Sequence, residues 1–385
     1  MWLFIESSDV WLFRDGRPFD AGADHRAGSL FPPNATTLQG AIRSKMLALY
    51  GVDPEAYRER DETNANVAAV AAQIGYPARR QNGQVVQTAE PGNVRLRGPF
   101  LARRETAGNE TQIMPYFPCP ADVLKIETDE TKKLAPLHPA PNPAFAANWP
   151  DDAPNLWPMT FGDVGDETPE GIDAWVSAEA LGRYLGDKNS LNYSDLVQPG
   201  DLFGPEPRLG IGVDSSVKRP EDGMLYQVSY VRPKDEAGLL VQVTGLDQAA
   251  EERLGQGGLL SLGGETRAAS YTVVNQPPAW PKSQIDEDKG KLVLATPTYF
   301  GGGWQAANWA AFFAGAPRLA AAVVHRHQLV GGWDVAHNRP KPAQRYVPAG
   351  AVYYFDGALD ETADFIGDDP AAGRIGFGAY FIGRW

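Results

Sequence analysis

Glycine in the company of a cation or a flat ring is the recurrent chemical pattern in this chain. Gly210-Ile211-Gly212 follows Arg208, Gly263-Gly264 precedes Arg267, Gly301-Gly302-Gly303 precedes Trp304, Gly331-Gly332 precedes Trp333, and Gly373–Gly378 contains Arg374 and Phe377. Glycine lets backbone N–H groups come close to phosphates and form anion-binding nests. Taken singly, each cluster is better read as a tight corner between strands. Taken with their neighbours, they supply what single-stranded RNA requires, cations for phosphates and rings for stacking. No G-x-x-x-x-G-K-[ST] occurs, and no G-x-G-x-x-G stands between a strand and a helix, so P-loop and dinucleotide-binding readings have no support. Gly263-Gly264-Glu265-Thr266 has the outline of a palm-domain cyclase turn, but that turn needs adjacent carboxylates to hold two metal ions and Thr266 cannot supply the second.

The five histidines are His25, His138, His325, His327 and His337. His325 and His327 are two apart in a stretch that reads as a strand over Leu319 to Val330, which would point both to one side and permit a metal grip. Their face also carries Val323 and Leu329, so packed or hydrogen-bonded histidines are the better reading. His25, beside Asp24 and Arg26, has the chemistry of a general base for RNA self-cleavage, although spacing places no second proton-transfer residue near it. A phosphate or base contact without chemistry fits it better. Ten tryptophans and abundant carboxylates admit a carbohydrate-active protein, but paired catalytic acids cannot be picked from spacing. The one cysteine, Cys119, excludes an intramolecular disulfide and a thiolate zinc or iron–sulfur cluster. No metal or cofactor is expected.

Charge sharpens the RNA reading. The 385 residues carry 35 Lys and Arg against 48 Asp and Glu, a net −13, which by itself opposes a polyanionic partner. The charges are segregated, however. Residues 79–104 hold six arginines against Glu90; residues 10–50 hold Arg14, Arg17, Arg26, Arg43 and Lys45 against three aspartates; residues 320–350 hold Arg326, Arg339, Lys341 and Arg345 against Asp334. Acids crowd 120–195 and Asp356–Asp369. Such a chain can grip RNA on one side and present acid elsewhere. The MWLFIE start lacks a basic n-region and its apolar run is too short for a signal peptide, and no run of about 18 apolar residues occurs, so a cytoplasmic protein without membrane contact is expected.

Around these residues the patterning alternates short strands with a few helices. Trp2 to Ile5 is apolar throughout, as in a strand covered on both faces, and Val10 to Phe13 resumes it. The clearest helix carries Leu38, Ile42, Met46 and Leu49 as its stripe, with Thr36 and Gln39 at capping-box spacing and Gly51 as its stop. Thr36, Gln39 and Arg43 fall on another face. A second helix-like stretch covers Glu55 to Ile74, and Val94 to Ile126 reads as strand broken at Leu101–Glu105. Prolines between Pro136 and Pro158 forbid regular structure there, with Trp149 and Trp157 expected to pin the segment. Beyond Gly200 come strands at Leu225–Arg232, Leu239–Val243, Thr266–Val274, Leu292–Pro297, Ala351–Phe355 and Phe377–Trp385, with helices near Asp247–Leu254 and Trp304–Ala314. The fold class is α+β, helices on one face of antiparallel sheet.

The ordered series RDGRPFDAG (14–22), SLFPPNATTLQGAIRS (29–44), RGPFL (97–101), PRLGIGVD (207–214), LYQVSYVR (225–232), LGGETRAASY (262–271), TPTYFGGGW (296–304), GGWDVAHNRPKPAQRYVPAGAVYYF (331–355) and GFGAYFIGRW (376–385) resembles the third-subunit family of the type III-B CRISPR Cmr complex, in the RAMP superfamily. It touches both ends and most of the second half; residues 105–200 match poorly and read as an insertion. The resemblance implies two ferredoxin-like, RRM-related domains with glycine-rich loops, divided here as 1–220, carrying the Pro-rich insertion, and 221–385. It implies a non-catalytic subunit of an antiviral interference complex that binds the 5′ handle of CRISPR RNA and docks the large polymerase-cyclase subunit beside a backbone RAMP subunit. Carried over residue by residue, the RNA-facing positions are Arg14, Arg17, His25, Arg26, Thr37, Arg43, Gly264, Arg267, Lys341 and Arg345. The alternative is a metal-independent RAMP-family endonuclease processing CRISPR RNA, with His25 as its base.

Overall fold

The computed structural model describes residues 1–14, 26–61, 63–81, 84–108, 110–128, 131–141, 156–186, 191–214, 219–286, 288–334 and 339–385. They form two compact units, each assembled from three stretches of chain: Met1–Ala102, Leu202–Gln276 and Leu329–Gln344 in the first, Arg103–Asp201, Pro277–Gln328 and Arg345–Trp385 in the second. Residue 220 lies inside the strand Arg219–Pro233, within the first unit.

The first unit is built on β1 (Trp2–Ser7), α1 (Ala35–Leu49), β2 (Arg95–Ala107), β3 (Ala237–Thr244), α2 (Gln248–Leu254) and β4 (Ala268–Val273). The strands lie in the order β2-β3-β1-β4, with the short strand Gly258–Ser261 beyond β4. β1 runs antiparallel to β3, Leu3 facing Val241, and to β4, Ile5 facing Tyr271. As the unbroken apolar run requires, Leu3, Phe4 and Ile5 are fully buried. α1 lays Leu38, Ala41, Ile42 and Met46 on the core of Leu3, Ile5, Val241 and Tyr271, each large side chain contributing roughly 1.5–3 kcal/mol. Gly51 stops the helix at φ +61°. The start differs from the expected capping box. Asn34 holds the cap position in extended conformation, so Thr36 and Gln39 lie within the first turns. The stretch expected as one helix over Glu55–Ile74 is two, Pro54–Arg58 and Ala65–Ile74, because Arg60 turns left-handed at φ +58° and Asn64 caps the second helix through Asn66 N–H. Across the Arg-rich stretch β2 runs unbroken, its arginines accommodated on a strand rather than interrupting it. A long hairpin, Phe203–Asp214 with Arg219–Pro233, completes this unit; Trp11 pairs with Val231 on it, and Arg26–Ala27 runs parallel to Gln227–Val228.

The second unit repeats the plan with β5 (Lys289–Leu294), β6 (Arg318–Val323), β7 (Val352–Asp356), α3 (Pro370–Arg374) and β8 (Tyr380–Gly383), in the order β6-β7-β5-β8 and antiparallel throughout. The helix expected over Trp304–Ala314 is a single 3-10 turn, Trp309–Ala311. Glycines at 301–303 and Gly315 (φ +80°) disfavour a longer helix, and Phe300, Trp309 and Phe313 anchor the segment by burial instead. His325 and His327 are exposed in the connection after β6, not side by side on a strand, so the expected shared face does not exist. On the other side of β5, Asp122 is 3% exposed and accepts hydrogen bonds from Tyr184 Oη (2.5 Å) and Tyr354 Oη, while Lys291 Nζ lies 3.4 Å from the Tyr184 ring centre. Trp157 is pinned as expected, its N–H donating to Ala320 O (2.6 Å) and its ring meeting Trp385 edge-on at 5.8 Å. Trp149 lies outside the described residues.

Candidate nucleic-acid interface

The Gly263–Arg267 turn is fixed from below by the segment before it in space. Gly264 N–H donates to Leu12 O (2.7 Å), and at Gly263, φ +87°, a Cβ would stand 2.5 Å from that same oxygen. Only glycine fits there. Glu265 and Thr266 then turn left-handed at φ +56° and +51°, a conformation that costs non-glycine residues energy and persists where surroundings hold it. The surroundings are polar. Glu265 accepts from Tyr230 Oη (2.9 and 2.8 Å to its two oxygens) and from Arg267 Nη2 (2.6 Å). The Arg267 and Arg208 guanidinium groups lie 4.8 and 5.1 Å from the Tyr230 ring centre. Burial raises the Glu265 pKa, but the Tyr230 hydroxyl and the Arg267 charge outweigh it, leaving the carboxyl below its ordinary range.

Beside this turn, Arg208 binds Glu206 (2.6 Å) and Asp9 (2.9 Å), and Arg232 binds Asp9 (2.8 Å) and Glu206. Two cations and two anions close a neutral square. Asp9 is held low chiefly by Arg208, and Glu206 chiefly by Arg232. The arginine read as phosphate company for Gly210 is thus committed to carboxylates, and the Nη2 of Arg267 is held by Glu265.

Two further cations of this unit are Arg43, on α1, and Lys341. Arg43, half-buried, donates through Nε (3.1 Å) and Nη2 (2.6 Å) to Ile74 O at the end of the helix Ala65–Ile74. Lys341 N–H donates to Gly332 O (2.8 Å), and a Cβ on Gly332 would lie 3.9 Å from Thr36 Oγ1, which places Gly332 beside the first turn of α1. Lys341 is exposed as a residue, so the burial acting on its ammonium is partial. That burial and the Arg43 charge still push its pKa down, against Asp334, which pushes it up. Trp333 pairs with Pro340 in the same ribbon and is 55% exposed.

Of the remaining positions, Arg14 is exposed and bridges Ser29, whose Oγ donates to Ser229 O (2.7 Å). Arg26 has its backbone on the hairpin strand, and Thr37 is half-buried in α1. Arg345 is exposed on the strand Gln344–Tyr346 and belongs to the second unit. Arg17 and His25 lie outside the described residues. Among the described residues no three His, Cys, Asp or Glu gather to hold a metal ion, and no helix is long and apolar enough to cross a membrane. Sequence reasoning missed Tyr230 and Glu265. Their meeting joins positions far apart in the chain, and no local pattern announces it.

The family model described as CRISPR-associated protein (Cas_Cmr3) matches residues 3–385. The chain belongs to the Cas_Cmr3 family. No curated protein matches it. Among solved structures, a chain of the type III-B Cmr-beta complex bound to cognate target RNA, seen by cryo-electron microscopy, is similar at 14% identity with a TM-score of 0.48, covering 92% of this chain and 86% of its own. A chain of the Csm3-Csm4 subcomplex of the type III-A CRISPR-Cas interference complex, from a crystal, gives 11% identity and a TM-score of 0.39, covering 99% and 98%. Arg208 and Arg232 thus pair with carboxylates at the hairpin, while Arg267 pairs with Glu265 and Arg43 donates to Ile74 O.

Proposed function

We propose that this Cas_Cmr3 chain is a non-catalytic subunit of a type III-B CRISPR effector complex, holding the repeat-derived 5′ handle of the CRISPR RNA and docking the large polymerase-cyclase subunit beside a backbone RAMP subunit. The observation that carries the reading is the family match over residues 3–385. The topology supports it. Both units order their strands second-third-first-fourth, with a helix or helical turn after the first and a helix after the third, which is the split β-α-β arrangement of ferredoxin-like domains. In this reading Arg14, Arg26, Thr37, Arg43, Gly264, Arg267 and Lys341 serve the RNA from the first unit, with Arg345 contributed by the second. Arg17 and His25 join them on the strength of the sequence alone.

The test is to incubate the purified chain, in EDTA, with labelled RNA carrying the handle and with a scrambled control, following retention and cleavage together. Handle-preferring retention without cleavage is expected. Cleavage that survives EDTA and disappears in His25→Ala would replace this reading with that of a metal-independent nuclease. If neither occurs, the large subunit is added; continued failure to bind overturns the reading.

A further inference from the structure

Trp333 is the most exposed large aromatic side chain described, at 55%, and its position is fixed rather than loose. It sits in a two-stranded ribbon with Pro340, next to Gly332, whose φ of +144° is one that residues with a side chain rarely adopt. Lys341 closes the ribbon through its N–H to Gly332 O. Leaving an indole in water forfeits the apolar burial that rings of this size ordinarily gain. Lys341 stands in the same ribbon as Trp333, and Asp334, next to Trp333, is the acid that acts on its ammonium. Asp334 also has Arg339 at 4.0 Å, so its charge is divided. The arrangement destabilises the ammonium and is relieved by an anion.

We propose that Trp333 is the stacking platform for one base of a single-stranded RNA and that Lys341 takes the phosphate adjacent to that base. The site rests on the RNA-binding reading above and adds to it the ring that reads the flat face of a nucleotide. It also separates two kinds of contact within a few residues, since stacking is insensitive to salt while the phosphate contact is not.

Full-length protein and single-stranded RNA carrying the handle test this across a range of salt. Trp333→Ala is expected to weaken binding about 5- to 100-fold, from the usual size of base–aromatic stacking, without altering the salt slope. Trp333→Phe keeps most of the affinity and loses the part of the tryptophan fluorescence quenched by RNA. Lys341→Ala lowers the slope by about 0.7, one single-strand counterion, and Lys341→Arg restores it. Thermal unfolding of Trp333→Ala is expected to match wild type, since the ring is exposed. Wild-type binding with an unchanged Trp333→Ala affinity overturns the site alone and leaves the function standing. If Trp333→Ala instead loses association with the large subunit while RNA affinity holds, Trp333 is a protein contact and the proposal fails. No RNA binding by wild type, even with the large subunit, overturns both.

Discussion

Glu265 decides how Arg267 meets an anion. Its carboxylate takes the Tyr230 hydroxyl and the Arg267 guanidinium together, so a phosphate approaching Arg267 would also meet the Glu265 charge. Glu265→Gln keeps a hydrogen-bond acceptor for Tyr230 and removes the competing charge. RNA affinity is expected to rise a few-fold and the salt slope to steepen by about 0.7, read from binding isotherms at several salt concentrations; an unchanged slope would show that Arg267 never meets phosphate. Lys341 gives a pH signature of opposite kind. Partial burial and Arg43 lower its folded pKa. The unfolded chain therefore holds this proton more tightly, and the group's penalty to stability fades as pH rises from the lowered pKa toward the ordinary lysine value of about 10.4. Bound phosphate favours the charged form, so RNA affinity is expected to fall as pH rises through that lowered pKa, below the ordinary value, and to stay level in Lys341→Arg. An identical pH profile in the two proteins would remove Lys341 from the phosphate contacts.

At the scale of elements, the second unit is knitted around one buried carboxylate. Asp122→Ala leaves the Tyr184 and Tyr354 hydroxyls buried without their acceptor, at a cost of about 2–5 kcal/mol. Denaturant unfolding should show the loss, and Asp122→Asn should recover part of it. Nothing in the sequence signals this cluster, because its members come from residues 122, 184 and 354 and meet only after the sheet has formed. Local patterns were legible where local physics decides. The unbroken apolar run of β1, the stripe of α1 and its Gly51 stop, the short helix α2 and the later strands all follow from periodicity and backbone preference. Reading failed where tertiary packing overrides propensity: the 3-10 turn at Trp309, held by its aromatic anchors, and the separated histidines after β6. The candidate site was legible only as positions to test. Glycine corners and cations draw attention to Gly264, Arg267 and Lys341, but no spacing rule reveals that Glu265 hydrogen-bonds Arg267 or that carboxylates pair with Arg208 and Arg232.

At the scale of the whole molecule, neither compact unit is a continuous piece of chain. The first takes β1, α1 and most of β2 from before residue 103, and β3, α2 and β4 from after residue 201. A fragment of residues 1–220 lacks the strands that flank β1 on both sides. It is expected to show no cooperative thermal transition by circular dichroism; a sharp one would mean that the first unit needs less of the chain than its sheet implies. Composition cannot disclose such interleaving, since Pro- and Gly-rich stretches mark loops without saying which unit the next strand joins. The same separation sets a clock during synthesis. Residues Trp2–Ile5 leave the ribosome well before their partners Leu239–Gln242 and Tyr271–Val273, which follow more than two hundred residues later, roughly 10–50 s at ordinary elongation rates. For that interval the nascent chain carries an apolar strand with both edges open, the kind of segment that pairs with neighbours on adjacent ribosomes. Shielding of residues Trp2–Ile5 while their partner strands are being made therefore favours the yield of folded protein.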